Sequence, residues 1–192
     1  MENKKLEIGN FLGVTLPEQI ALPHNCKIRF LERTDIENIL LERSPFYFID
    51  KAISFRNDNN NEDLILSVAT ITEAKCEGHF PLRLIAPYIE FFKLAAQSGV
   101  LLAGLTTPNH VPIANGDGRF SSFVKHFIYP PVKVLIESRI EKWYEYGTKL
   151  SGENTTYVDE KMVARLWTDY ILISKPVFLR INRAKKTEPS SV

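Results

Sequence analysis

The spacing of hydrophobic and polar positions changes character several times along the chain. Residues 1–30 carry weak periodicity and several breakers, Gly9, Gly13, Pro17 and Pro23, and read as an N-terminal extension that wraps the surface. Thr34-Asp35-Ile36-Glu37 has the form of a capping box, with Ile36, Ile39 and Leu40 on one face of the short helix behind it. Pro45 stops that helix, because the residue before a proline is pushed out of the α region. Residues 46–55 are rich in aromatic and β-branched side chains and predict a strand. A polar turn at 57–61 and a returning strand at 64–72 complete a hairpin. After a loop at 78–81 the period lengthens. Pro87 suits a first helical turn, and Leu94, Ala95, Ser98, Leu101 and Leu102 keep helical spacing to about Leu105. Ala95, Ala96, Ser98 and Gly99 are small enough to let a sheet approach this helix closely. Strands are then expected at 111–114, 118–124, 133–143, 149–158 and 162–174, with breaks at Asn115-Gly116, Pro130-Pro131, Tyr146-Gly147 and Asp159-Glu160. No internal repeat is visible. A single long apolar helix must bury itself against something large, and a curved antiparallel sheet around it is the economical α+β arrangement. One domain is expected over residues 31–182, with a polar, disordered tail at 183–192.

Composition narrows the classes. The chain has 192 residues, 44% hydrophobic and 24% charged, which suits one ordinary globular domain. A formal net charge of +1 supplies no electrostatic footprint for nucleic acid. Cys26 and Cys76 are too few for a disulfide framework and match no metal motif, so a reducing, cytoplasmic setting is expected. The N-terminus has no apolar run of signal-peptide length. The longest apolar-rich stretch, 85–105, is interrupted by Pro87, Glu90, Lys93, Gln97 and Ser98 and reads as a buried helix rather than a membrane span. No glycine-rich phosphate loop or metal cluster is present, and no cofactor is expected.

Several segments resemble one family. Ser44-Pro45-Phe46-Tyr47-Phe48-Ile49-Asp50-Lys51 resembles the proline-phenylalanine-aspartate-basic strand of the β-hydroxyacyl-acyl carrier protein dehydratases. Gly78-His79-Phe80-Pro81, followed by Pro87 and Ala96-Gln97, is similar to that family's active-site segment. The stretch 123–132, ending in Pro130-Pro131-Val132, looks like its later strand and proline turn, and Val158-Asp159-Glu160-Lys161 like its last hairpin. The matching segments span Ile36 to Ile173 in the right order. The resemblance implies the hot-dog fold, a sheet wrapped round one central helix. It also implies an acyl carrier protein or coenzyme A thioester as substrate. The assembly it implies is a homodimer or a trimer of dimers, with active sites shared across the dimer interface.

Eliminating water from a 3-hydroxyacyl thioester needs a base for the proton beside the carbonyl and an acid for the leaving hydroxyl. The carbonyl must also be polarised, which backbone N–H groups at a helix N-terminus can do. In the family a histidine and a helix carboxylate share the proton work. His79 matches the histidine. The position fourteen residues further on, where the family has a carboxylate, is Lys93. An ammonium donates protons but accepts none. Leu82 and Tyr88 also stand where the family usually has glycine, and bulk at 88 would narrow the approach to the helix N-terminus. Glu90 precedes Lys93 by three residues, so the two side chains are neighbours on the helix. The simpler reading makes Glu90 a first-turn acid favoured by the helix dipole and paired with Lys93. The sharper one makes it the replacement carboxylate, oriented by Lys93 or Gln97.

The candidate catalytic residues are therefore His79, Glu90 and Lys93, with Phe80, Pro87, Tyr88 and Gln97 as candidate substrate contacts. His24, His110 and His126 have no partner pattern, and Asp50 reads as structural. A Cys76–His79 nucleophilic pair, three residues apart on a loop expected to be extended, is disfavoured. Three functions fit these residues. The first is a 3-hydroxyacyl-thioester dehydratase-like enzyme. The second is a thioesterase on the same scaffold. The third is a non-catalytic acyl-binding subunit, or one chain of a heterodimer whose partner supplies the missing carboxylate.

Overall fold

The structure, a computed structural model, describes residues 2–40, 48–57, 62–76, 88–115, 118–124, 128–144 and 147–180. The elements run α1 (Glu2–Leu12), β1 (Lys27–Leu31), α2 (Arg33–Leu40), β2 (Lys51–Arg56), β3 (Glu62–Ile71), α3 (Glu73–Cys76), α4 (Tyr88–Thr106), β4 (His110–Ala114), β5 (Arg119–Ser122), β6 (Val132–Trp143), β7 (Lys149–Val158) and β8 (Lys161–Ser174). The strands form one antiparallel sheet in the order β1-β2-β3-β6-β7-β8-β4, and β5 also pairs with β8. The sheet is strongly curled, and α4 lies against β3, β6, β7, β8 and β4, with α2 packed beside it. The expected α+β arrangement is the observed one.

The five strands expected after the long helix all form, each within two residues of the expected ends. The β7–β8 hairpin turns at Asp159 and Glu160, both with positive φ (47° and 63°), as a two-residue primed turn requires. Two expectations shift. The strand anticipated over 46–55 becomes regular only at Lys51; residues 48–50 run up to it without a ladder of their own, and 46–47 lie outside the described residues. The capping box also moves. The Glu32 carbonyl accepts from the N–H groups of Asp35 and Ile36, and the Glu32 N–H donates to Asp35 Oδ2 at 3.1 Å. The cap is thus one-sided, Asp35 reaching back to Glu32, and Glu37 instead pairs with Arg33 Nε at 3.0 Å. The tail at 183–192 lies outside the described residues.

Alternation along the strands divides the interior into two layers. The inner layer joins Phe91, Leu94, Leu101, Leu102 and Leu105 of α4 to Ala52, Ile65, Ala69, Val134, Ile136 and Ala164 of the sheet. The outer layer is built by the first residues of the chain. Ile8, Leu12, Leu16, Ile20 and Leu22 cover Ile53, Phe55, Leu64, Leu66, Val68, Leu135 and Tyr157 on the convex face. The extension is thus half of a second core, and the boundary expected between residues 30 and 31 falls inside β1, which pairs with β2. Gly13, at φ 68°, ends α1 in the left-handed conformation that glycine adopts without strain. Lys133 Nζ then donates to the Gly13 carbonyl (3.1 Å) and Arg139 Nη2 to that of Ala21 (2.8 Å), tying the strap to the sheet.

Two tyrosines are buried in the interior. Tyr170 is fully buried under α4, its hydroxyl accepting from Asn154 Nδ2 at 2.9 Å. Tyr157 lies under the strap and donates to Glu137 Oε2 at 3.0 Å. Burial pushes both phenols well above the usual range; at Tyr157 the Glu137 carboxylate adds to the rise, and the Asn154 contact opposes it at Tyr170. A raised phenol pKa favours folding fully below the unfolded value of about 10 and progressively less above it. Stability should therefore fall steeply above about pH 10. A spectrophotometric titration should show both phenols ionising only as the protein unfolds. Ionisation of all seven tyrosines in one early step, with the fold intact, would refute this.

Candidate active site

The candidate site sits at the N-terminal end of α4. Glu90 lies in the first turn and is 1% exposed. An isolated buried carboxylate is strongly disfavoured, so its position needs compensation. Among the described residues two sources are evident. The first turn of a helix favours negative charge, and Lys93 Nζ lies 2.8 Å from Glu90 Oε1. The i,i+3 spacing places the two side chains together. Tertiary packing then buries the acid and leaves the lysine side chain 34% exposed. Glu90 shares the buried stripe of the helix with Leu94 and Ser98, each one turn further on.

Phe48 joins the same patch from the chain entering β2. Its ring centroid is 5.8 Å from Lys93 Nζ, within cation–π range. Its N–H donates to Gln97 Oε1 at 3.1 Å, so this side-chain oxygen holds the protein's own backbone. Ile49 is completely buried in the inner layer. Asp50 donates its N–H to the Val68 carbonyl (2.8 Å) and accepts the Thr70 hydroxyl on Oδ2 (2.9 Å), the structural role read for it.

Of the sequence candidates, Glu90, Lys93 and Gln97 are brought together on one side of α4, and Tyr88 is the helix's first residue. His79, Phe80 and Pro87 lie outside the described residues, as do Cys76's side chain and His126. His24 is exposed, and His110 is paired opposite Ser174 at the start of β4. Phe48 is a site residue that its sequence pattern alone did not single out; the signal was an aromatic residue two positions ahead of Asp50. Among the described residues no cluster of three histidine, cysteine, aspartate or glutamate side chains is arranged to hold a metal. A cavity of about 330 Å³ lined by Val14, Thr15, Lys133, Leu135 and Tyr157 opens on the outer face, away from these residues. Among the described residues α4 alone has the length and hydropathy of a membrane span, over Ile89–Thr106, and it is packed inside the curled sheet.

Comparison with known proteins agrees with this architecture. A hot-dog-like protein from Thermanaerovibrio acidaminovorans superposes with a TM-score of 0.51 over 66% of this chain and 91% of its own, at 10% identity. The fold is the hot-dog fold. By sequence, the chain is 27% identical over 135 residues to a 3-hydroxyacyl-acyl carrier protein dehydratase of Coxiella burnetii, covering 69% of this chain and 92% of that protein. It is 34% identical over 76 residues to the dehydratase of the same description from Chlamydia muridarum, covering 39% of this chain and 48% of that one. No protein-family model matches the chain.

Proposed function

We propose that the chain is a cytoplasmic, dehydratase-like protein acting on 3-hydroxyacyl thioesters of acyl carrier protein or coenzyme A. The carrying observation is the buried Glu90 carboxylate, paired with Lys93 at the N-terminal turn of the central helix just after the His79 segment. The sequence likeness to the Coxiella dehydratase over most of that protein's length supports the same reading.

The chemistry divides between two centres. His79 takes the proton beside the thioester carbonyl. The electron pair moves into the new carbon–carbon double bond, and the hydroxyl leaves as water once it receives a proton. Lys93 can supply that proton, because an ammonium is a donor, while Glu90 only accepts in its ionised form. Glu90 therefore orients Lys93 and balances its charge before transfer, and a proton from solvent restores the ammonium afterwards. The proton taken by His79 returns through solvent. No step calls for a cofactor. A homodimer is the proposed assembly; Ile113 and Ile171, opposite each other on β4 and β8 at one end of the sheet, are 40% and 43% exposed and supply apolar surface there. Sedimentation at micromolar concentration tests that point.

The ion pair also favours a second reading. A carboxylate held by an ammonium is poorly placed to act as a free base, which suits a non-catalytic acyl-binding subunit or one half of a heterodimer with another hot-dog chain. Turnover of 3-hydroxyacyl and saturated acyl thioesters, followed through enoyl absorbance and free thiol together, separates the readings. Enoyl product that disappears in His79→Ala establishes the dehydratase. Free thiol without enoyl product points to thioester hydrolysis instead. A folded protein giving neither signal belongs to the subunit class.

A further inference from the structure

We propose that Phe48 is a positioning residue for the Glu90–Lys93 pair, itself held in place by Gln97. The inference rests on the reading of that pair as the second proton-transfer centre. A lysine has a long flexible stem, and its ammonium wanders unless its tip is restrained. Among the described residues, two restraints converge on Lys93: the Glu90 carboxylate at 2.8 Å and the Phe48 ring at 5.8 Å. The ring can act as a fixed wall only if its backbone is fixed, and residues 48–50 lie outside the regular strand.

Three successive residues pin that segment. Phe48 N–H goes to Gln97 Oε1 on α4, Ile49 is sealed in the inner core, and Asp50 is bonded to β3 through both its N–H and its carboxylate. Lys93 and Gln97 are four residues apart, so one face of α4 presents both the amide that holds the Phe48 backbone and the ammonium that lies over its ring. The arrangement aims a partly exposed cation, with its charge balanced from the buried side by Glu90, in a set direction. The direction is set by the π face rather than by packing alone, which makes an aromatic residue necessary at 48.

The test compares Phe48→Leu, Phe48→Tyr and Gln97→Met. Two readouts are used: steady-state turnover of a 3-hydroxyacyl thioester, and the ring-current shift of the Lys93 ε-methylene in protein labelled with ¹³C-lysine. Phe48→Leu is expected to lower kcat about fivefold with KM little changed, and to abolish the shift. Phe48→Tyr, which keeps the π face, should restore both. Gln97→Met should weaken the shift although the ring remains. Equal kcat for the leucine and tyrosine variants, or no ring-current shift at Lys93 in the unaltered protein, overturns the proposal. Should Phe48→Leu fail to fold, Gln97→Met decides: an unchanged shift counts against the role of Gln97 and the proposal with it. If the unaltered protein turns over no thioester, the functional reading fails, and the ring-current comparison still judges Phe48 on its own.

Discussion

Glu90→Gln is expected to lower kcat for dehydration by about 10²-fold, the order of loss when a catalytic group, here Lys93, is left misplaced. The substitution keeps the shape of the side chain and removes its charge. Glutamine can still accept a hydrogen bond from Lys93, so the fold should survive, with stability changed by about 1 kcal/mol. Binding of the acyl thioester should change much less than kcat, because Glu90 is 1% exposed and acts on Lys93 rather than on the body of the substrate. Steady-state kinetics beside a urea unfolding curve checks both parts. Full turnover in a stable Glu90→Gln protein would make Glu90 only a first-turn acid that neutralises Lys93, and the proposed mechanism would lose its second centre.

Gly99→Ala is expected to be the most damaging small change in the described structure. A Cβ at Gly99 would fall on the Tyr170 hydroxyl, 2.5 Å from Tyr170 Cζ and 2.6 Å from Asn154 Oδ1. All three residues are buried, and Tyr170 is already tied to Asn154. Neither neighbour is the loose end of a flexible chain, so either the helix or β8 must move. Overpacking of this kind costs roughly 1–3 kcal/mol and sometimes more; with contacts this close the upper end, about 3 kcal/mol, is expected. The loss should appear as a lower urea midpoint at an unchanged slope. Combining it with Tyr170→Phe removes the hydroxyl that the new methyl meets first. The double variant should therefore be less destabilised than the two single effects added together. Strict additivity would mean that the clash is relieved elsewhere along α4.

Gly99 also shows how far the chain could be read without its fold. The cluster Ala95, Ala96, Ser98 and Gly99 already announced a helix that a sheet approaches closely. Nothing in that pattern said which small residue was indispensable, because the answer lies in Tyr170, seventy-one positions away and brought over by β8. Ser98 makes the same point: its hydroxyl meets those of Ser67 (2.9 Å) and Ser138 (2.7 Å), each from a different strand. The capping signal was present near residue 34, where Thr34/Glu37 fits its form. The structure starts the helix earlier, with Asp35 reaching back to the Glu32 N–H, because β1 ends at Leu31 and the helix follows after one intervening residue.

The outer layer was less legible. Leu64-Ile65-Leu66 runs apolar without alternation, a sign that both faces of β3 are covered. The weak periodicity of residues 1–30 hid the covering element, since Ile8, Leu12, Leu16, Ile20 and Leu22 come from a helix followed by an irregular strap. A cover that follows no single period leaves no single-period signature.

The amino-acid sequence by itself determined the α+β class, the long central helix, the five later strands, and the pairing of Glu90 with Lys93. Each of these is a local matter of residue period, turn chemistry or neighbours on one helix face. Tertiary structure decided that Glu90 would be buried and Lys93 partly exposed, that Gln97 would hold the Phe48 backbone, and that the first residues would close a second core. Burial and long-range contact depend on which surfaces meet when the sheet curls around α4, and no single stretch of the chain carries that information.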